Sequence, residues 1–203
     1  MKFIGITGGV GAGKSAILSH LAKKPDTRVM LADEIAHELM EQGTDCYHAI
    51  QQTFGNEDIF LPGGGLDRGK LAAVIFADPA KRQQMNDIVH PAVKEYVKRQ
   101  AAKERERGTL KLLVLEAALL IEEHYDEICD ELWYIYTSEE IREMRLMESR
   151  GYSREKVHQI FDSQLDEASY RKHCTVVIDN NGTVEAAEAQ IDKVLVTMCD
   201  AHA

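Results

Sequence analysis

Apolar positions in this chain form short runs that alternate with helical stripes. Phe3-Ile4-Gly5-Ile6 is a brief apolar run closed by glycines, the pattern of a short buried strand. Ser15 to Lys23 repeats apolar residues at helical spacing, and Pro25 closes it. Arg28 to Leu31 predicts a second strand. Asp33 stands where an N-cap would, before the helical "EIAHELMEQ" that Gly43 ends. Residues 55–66, "GNEDIFLPGGGL", predict a loop. From Leu66 to Gly108 the pattern is helical and charged. Breaks are expected at Asp78-Pro79 and near His90-Pro91, because a proline pushes the residue before it out of the helical region. Lys98 to Arg107 reads as a solvated helix face. Lys111–Glu116, Leu132–Thr137 and Thr175–Asp179 predict three further strands, separated by helical patterns at 138–150, 154–165 and 183–199. Strands alternating with helices predict a parallel sheet covered on both faces, a three-layer α/β domain.

Composition narrows the function classes. The 203 residues suit one domain, and the 44% hydrophobic fraction suffices for a sizeable core. The formal net charge of −10 argues against nucleic acid and anionic membrane as partners, so an anionic ligand has to be held by local positive features. The four cysteines show no metal-like spacing and suit reduced thiols in a cytoplasmic protein. Residues 1–7 are too brief an apolar run for a signal peptide, and Lys111 and Glu116 break the longest later one. A soluble intracellular protein is expected, and no residue pattern fixes its oligomeric state.

The sharpest feature is "GGVGAGKS", residues 8–15, between the first predicted strand and the first predicted helix. It fits G-x-x-x-x-G-K-[ST], the P-loop pattern, in the strand–loop–helix context that the pattern requires, with a plain glycine-rich turn joining strand to helix as the competing reading. Amides unobstructed by Cβ atoms can wrap phosphate oxygens, and the helix that follows adds the positive end of its dipole. Gly9, Gly11, Ala12, Gly13, Lys14, Ser15 and Ala16 are therefore assigned to ATP. The Lys14 ammonium is aimed at the β- and γ-phosphates, and the Ser15 hydroxyl at Mg2+. Two readings fit Glu116 equally: a second carboxylate for Mg2+, or a polar residue that merely ends a strand.

No guanine-reading N-K-x-D occurs, and motor ATPases are usually larger, which leaves a compact kinase for a small molecule. Such an enzyme needs a carboxylate near the acceptor hydroxyl and arginines over the transferring group. Asp33 follows the second strand and should emerge at the carboxyl edge of the sheet, where parallel sheets place their ligands; a plain N-cap is the competing reading. Arg142, Arg145, Arg150 and Arg154 lie in "SEEIREMRLMESRGYSREKVHQIFDSQ", interleaved with glutamates that suit ordinary surface pairing. The rivals are another small-molecule or nucleotide kinase, and a regulatory module that binds ATP without transferring phosphate.

Taken together, these residues resemble the dephospho-coenzyme A kinase family over roughly residues 2 to 195. The resemblance rests on "GITGGVGAGKS", "ADEIAHEL", "LDRGKLAAVIFADPAKRQQMNDIVHP", "LEAALLIE", "RLMESRGYS" and "VVIDNNG". It implies a P-loop kinase fold with a helical insertion of about 60–108 on the CoA side and a small lid of about 138–165. It implies transfer of the ATP γ-phosphate to the ribose 3′-hydroxyl of dephospho-CoA, the last step of coenzyme A biosynthesis. By the same resemblance Asp33 is the catalytic carboxylate, Arg145 the lid arginine on the nucleotide phosphates, and Asn181 lies with Asn180 and Gly182 near the adenine, where an Asn-Asn-Gly sequence also suits a plain turn. Arg68, Lys70, Arg82, Asn86 and His90 fall in the part that closes over the CoA moiety; for His90, a turn-capping structural role fits as well.

Four positions depart from the family pattern: Leu31 where an acid is common, Ala16 where threonine is usual, Ala118 for proline, and Ser149 for arginine. If the second strand reaches Asp33, Leu31 and Asp33 share a face, and the missing acid bears on the charge of Asp33.

Overall fold

The computed structural model describes residues 1–200, and side chains as far as Met198. Five strands, β1 (Lys2–Thr7), β2 (Thr27–Leu31), β3 (Leu112–Glu116), β4 (Glu131–Tyr136) and β5 (Val176–Asp179), form one parallel sheet in the order β2-β3-β1-β4-β5. β1 is central, paired in parallel with β3 (Ile4 opposite Val114) and with β4 (Ile6 opposite Trp133). Its Phe3, Ile4 and Ile6 are fully buried, as expected of a strand covered on both faces. Every strand foreseen is present, within a residue or two at each end.

The chain divides into two compact units. One takes Met1–Val29 and the chain from Arg107 onward; the other is Met30–Glu106. In the first unit the sheet is flanked by α1 (Lys14–Ala22), α6 (Glu139–Arg150), α7 (Arg154–Asp162), α8 (Glu167–His173) and α9 (Val184–Asp200). α1 packs on α9, where His20 lies between Glu188 and Asp192. α8 was not foreseen in its short charged sequence. Asp166 caps it by accepting from the Ser169 amide, and Tyr170 stacks on Tyr134 of β4 with ring centres 4.6 Å apart.

The second unit contains α2 (Ala32–Leu39), α3 (Asp45–Phe54), α4 (Arg68–Ala77) and α5 (Pro79–Arg107). Three expectations are corrected here. α2 begins at Ala32 with Leu31 as its N-cap and ends at Leu39, before Gly43. After Gly43 comes a helix not read from sequence, α3, whose first turn is capped by Thr44 accepting from the Tyr47 amide. The break near His90-Pro91 does not occur: α5 runs 29 residues with Pro91 inside it. Proline removes one helical hydrogen bond there and costs about 3 kcal/mol in an isolated helix. Buried Met85, Val89, Val93, Val97 and Ala101 form an unbroken i, i+4 stripe on both sides of Pro91, and that apolar face carries the helix through. The break at Asp78-Pro79 is present, with Asp78 in an extended conformation.

Candidate active site

β1 delivers the chain at Thr7 into the glycine-rich turn, and α1 leaves it at Lys14. Gly13, the N-cap of α1, has φ +83°, a left-handed conformation natural to glycine, and a Cβ there would strike the Asn180 amide nitrogen. α1 has neither a side-chain cap nor an acid in its first turn, so nothing on the helix offsets the positive end of its dipole. The Lys14 ammonium donates to the Gly8 carbonyl at 2.7 Å and lies 3.6 Å from a Glu116 carboxylate oxygen. Glu116, the last residue of β3, is thus beside the loop. Ser15 is exposed in the first turn of α1 and Ala16 follows it, donating to the Gly13 carbonyl at 3.2 Å.

Two arginines of α6 reach the turn from the other side. Arg145 donates to the Asn180 carbonyl at 2.9 Å, with longer contacts of 3.5 Å to the Ala12 carbonyl and the Thr137 hydroxyl. Arg142 is buried, and burial lowers the pKa of its guanidinium below the usual range. Its Nε donates to the Val10 carbonyl at 2.9 Å, and its guanidinium lies 4.2 Å over the Phe161 ring. It also occupies the space that a Cβ at Gly9 would need. Gly9 is required by this close approach as much as by any phosphate. Arg150 and Arg154 face elsewhere: Arg150 lies over Tyr152, and Arg154 pairs with Glu143 at 2.6 Å.

The turn after β5 closes the site. Asn180 is buried and donates to the Ala12 carbonyl at 2.7 Å; the Thr137 hydroxyl donates to the same carbonyl at 3.1 Å. The Asn181 side chain accepts from the Ser138 amide at 2.8 Å and ties this turn to the start of α6. Of the residues expected near the adenine, Asn180 thus bonds to the glycine turn and Asn181 to the start of α6. Thr137 and Gln164 as direct partners of the loop were not read from sequence, nor was the bond from Asn180, since only the fold brings the ends of β4, β5 and α7 to residues 10–13.

In the second unit, Asp33 is exposed in the first turn of α2. It is neither the N-cap nor on a strand, because β2 stops at Leu31 and the helix starts at Ala32. The shared strand face expected for Leu31 and Asp33 therefore does not exist. Arg82, Asn86 and His90 are spaced four apart along the continuous α5, on one stripe of that helix. Arg68 and Lys70 start α4 and pair with Glu41 at 3.3 Å and with Asp58 at 2.8 Å. Among the described residues no three acidic, cysteine or histidine side chains cluster as a ready-made metal cage, and no helix is long and apolar enough to cross a membrane.

Against known proteins, the family model described as CoaE, dephospho-CoA kinase, matches residues 2–186. The chain belongs to the dephospho-CoA kinase family. A dephospho-CoA kinase of Geobacter sulfurreducens is 36% identical over 194 residues, covering 96% of this chain and 97% of that protein. One from Arabidopsis thaliana is 33% identical over 97% of this chain and 83% of its own length. Among solved structures, TT1252 from Thermus thermophilus aligns at a TM-score of 0.75 with 30% identity and 97% of each chain covered. For this dephospho-CoA kinase family member, the glycine turn and its partners then have a stated context. Ala16, one of the four departures, contributes a backbone amide to α1, which any residue supplies. Ser149, another, donates to the Arg145 carbonyl one turn back, at 2.5 Å.

Proposed function

We propose that this protein transfers the γ-phosphate of ATP to the 3′-hydroxyl of dephospho-CoA, the last step of coenzyme A biosynthesis, and that it works in the cytoplasm. The observation that carries the reading is the strand–glycine turn–helix of β1 and α1 with the Lys14 ammonium inside it, in a chain matched to the family over nearly its whole length. The turn and the uncapped start of α1 hold the phosphates, and Lys14 places a cation against them. Arg145 stabilises charge on the moving phosphoryl group, and Asp33 orients or deprotonates the acceptor hydroxyl. Asn181 sits toward the adenine. Arg68, Lys70, Arg82, Asn86 and His90 contact the CoA portion. Positioning and fixed charge supply most of the acceleration in this chemistry, with base catalysis a minor part.

The donor set fits Mg2+: the exposed Ser15 hydroxyl and the Glu116 carboxylate beside Lys14 are hard oxygen ligands, and Mg2+ keeps waters and substrate phosphates as its remaining ligands. When bound, Mg2+ supplies charge neutralisation across the β- and γ-phosphates.

The test is ATP turnover with a panel of acceptors. Strong stimulation by dephospho-CoA alone supports the proposal. An equal response to nucleoside monophosphates points to a different kinase, and ATP binding without any acceptor response to a regulatory module.

A further inference from the structure

Val10, at the tip of the glycine turn, is gripped at both of its backbone polar groups. Its carbonyl accepts from Arg142 Nε at 2.9 Å, and its amide donates to Gln164 Oε1 at 3.3 Å. The same Oε1 accepts from the Arg142 terminal nitrogen at 2.5 Å, so the three groups close a ring. Arg142 belongs to α6, and Gln164 lies two residues past the end of α7. Phe161, in the last turn of α7, stacks under the guanidinium. Arg142 is only 8% exposed, and its hydrogen bonds go to a backbone carbonyl and a side-chain amide rather than to a carboxylate. A buried cation is costly unless something repays it. Here the hydrogen bonds and the Phe161 ring offset part of that cost, and the same bonds hold one peptide in place.

We propose that Arg142 and Gln164 form a latch that fixes the Val10 peptide and thereby sets the phosphate-cradling shape of residues 9–13, which makes both positioning residues for nucleotide binding. With the Val10 amide committed to Gln164 and the Ala12 amide to the Gly9 carbonyl at 3.1 Å, the amides assigned to phosphate are Gly11 and those from Gly13 to Ser15. Their common direction depends on how the chain enters at residues 9 and 10. A turn held in shape beforehand does not have to be ordered when ATP binds, and that saving is equal in the ground state and the transition state. Loosening the latch should therefore raise KM and Kd for ATP and leave kcat alone. Both loop and helices belong to the first unit, and the roles assigned to Arg145 and Asp33 are untouched. The inference rests on ATP being the ligand of this turn, as proposed above.

The test uses Gln164→Ala, Gln164→Glu, Arg142→Lys and Arg142→Ala in the full chain, with a non-hydrolysable ATP analogue titrated calorimetrically and steady-state kinetics alongside. Gln164→Ala should weaken the analogue and raise KM for ATP about tenfold, with KM for dephospho-CoA and kcat within about threefold. Gln164→Glu keeps an acceptor for both donors and should restore most of the affinity. Arg142→Lys keeps the charge but loses the fork that serves two acceptors at once, and should resemble Gln164→Ala. Gln164→Ala removes no buried charge, so it reads the latch even if Arg142→Ala fails to fold. The inference is overturned if kcat falls thirtyfold with analogue affinity unchanged, which would make Arg142 a direct transition-state contact. It is overturned equally if the variants melt lower but bind the analogue as the parent does. Analogue affinity does not depend on the acceptor, so a failure of the dephospho-CoA assignment would show in the acceptor panel and not here.

Discussion

The carbonyl of Ala12 accepts from three side chains: Asn180 Nδ2 at 2.7 Å, Thr137 Oγ1 at 3.1 Å and an Arg145 nitrogen at 3.5 Å. Ala12, Thr137 and Asn180 are each at most 3% exposed, so water offers no substitute. Removing either of the two good donors leaves the carbonyl with the other. Thr137→Val keeps the volume and loses one shared hydroxyl bond, about 1 kcal/mol. Asn180→Ala loses one bond and leaves a small void, about 2 kcal/mol in all. In the double variant the carbonyl retains only the long Arg145 contact, and stranding a buried acceptor adds about 1–3 kcal/mol beyond the sum. The single variants should melt roughly 2–4 °C and 4–8 °C below the parent, since 1 kcal/mol is about 2–4 °C for a domain of this size. The double variant should lose about 4–6 kcal/mol, a large part of a typical total stability of about 5–15 kcal/mol. Urea unfolding of all four proteins at one temperature, with equal slopes required, gives the coupling directly. Additive or sub-additive losses would refute the idea of a shared acceptor that must keep one donor.

Four further outcomes are expected. Lys14→Ala should cut kcat about 10³-fold, as expected for loss of a charge aimed at the reacting phosphate, while lowering the melting point by only a few degrees; turnover and melting curves measured together check it, and a collapse of stability would make Lys14 structural. Asp33→Asn should lower kcat far more than it raises either KM, with a stability loss of about 0.3–1 kcal/mol from the weaker interaction with the start of α2; kcat within a few-fold of the parent would remove Asp33 from the chemistry. Arg145→Ala should act mainly on kcat, and a collapse of ATP affinity at normal kcat would make it a ground-state clamp. Burial pushes the Cys174 thiol up to about 12 and raises Cys46, and Cys129 is buried too. Iodoacetamide at pH 8 followed by peptide mapping should leave all three unmodified in the native protein, because little thiolate exists to react; rapid labelling of Cys174 would contradict its burial.

The sequence alone determined the features that depend on near neighbours. An apolar run ending in "GGVGAGKS" predicts a strand turning tightly into a helix, and that turn stands where residues 8–15 placed it. Alternating strands and helices determined the parallel sheet, because each signal is local and five of them agree. Asp78-Pro79 ended a helix as its chemistry requires. Tertiary structure decided the rest. Pro91 carries the same local signal as Pro79 yet lies within α5, because a buried stripe from Met85 to Ala101 outweighs one missing hydrogen bond. Asp33 looked like a cap, but β2 ends at Leu31 and the helix takes up Ala32 at once. Thr137 and Gln164 are far from the glycines in sequence and carry no signal that points to them, and nothing local ties Arg142, a candidate arginine over the transferring group, or Asn180, expected near the adenine, to the glycine turn they bind. Parallel strands place their carboxyl ends along one edge, so the turns after β1, β4 and β5 meet there with the helix between them. That meeting is a property of strand order, which no local pattern encodes.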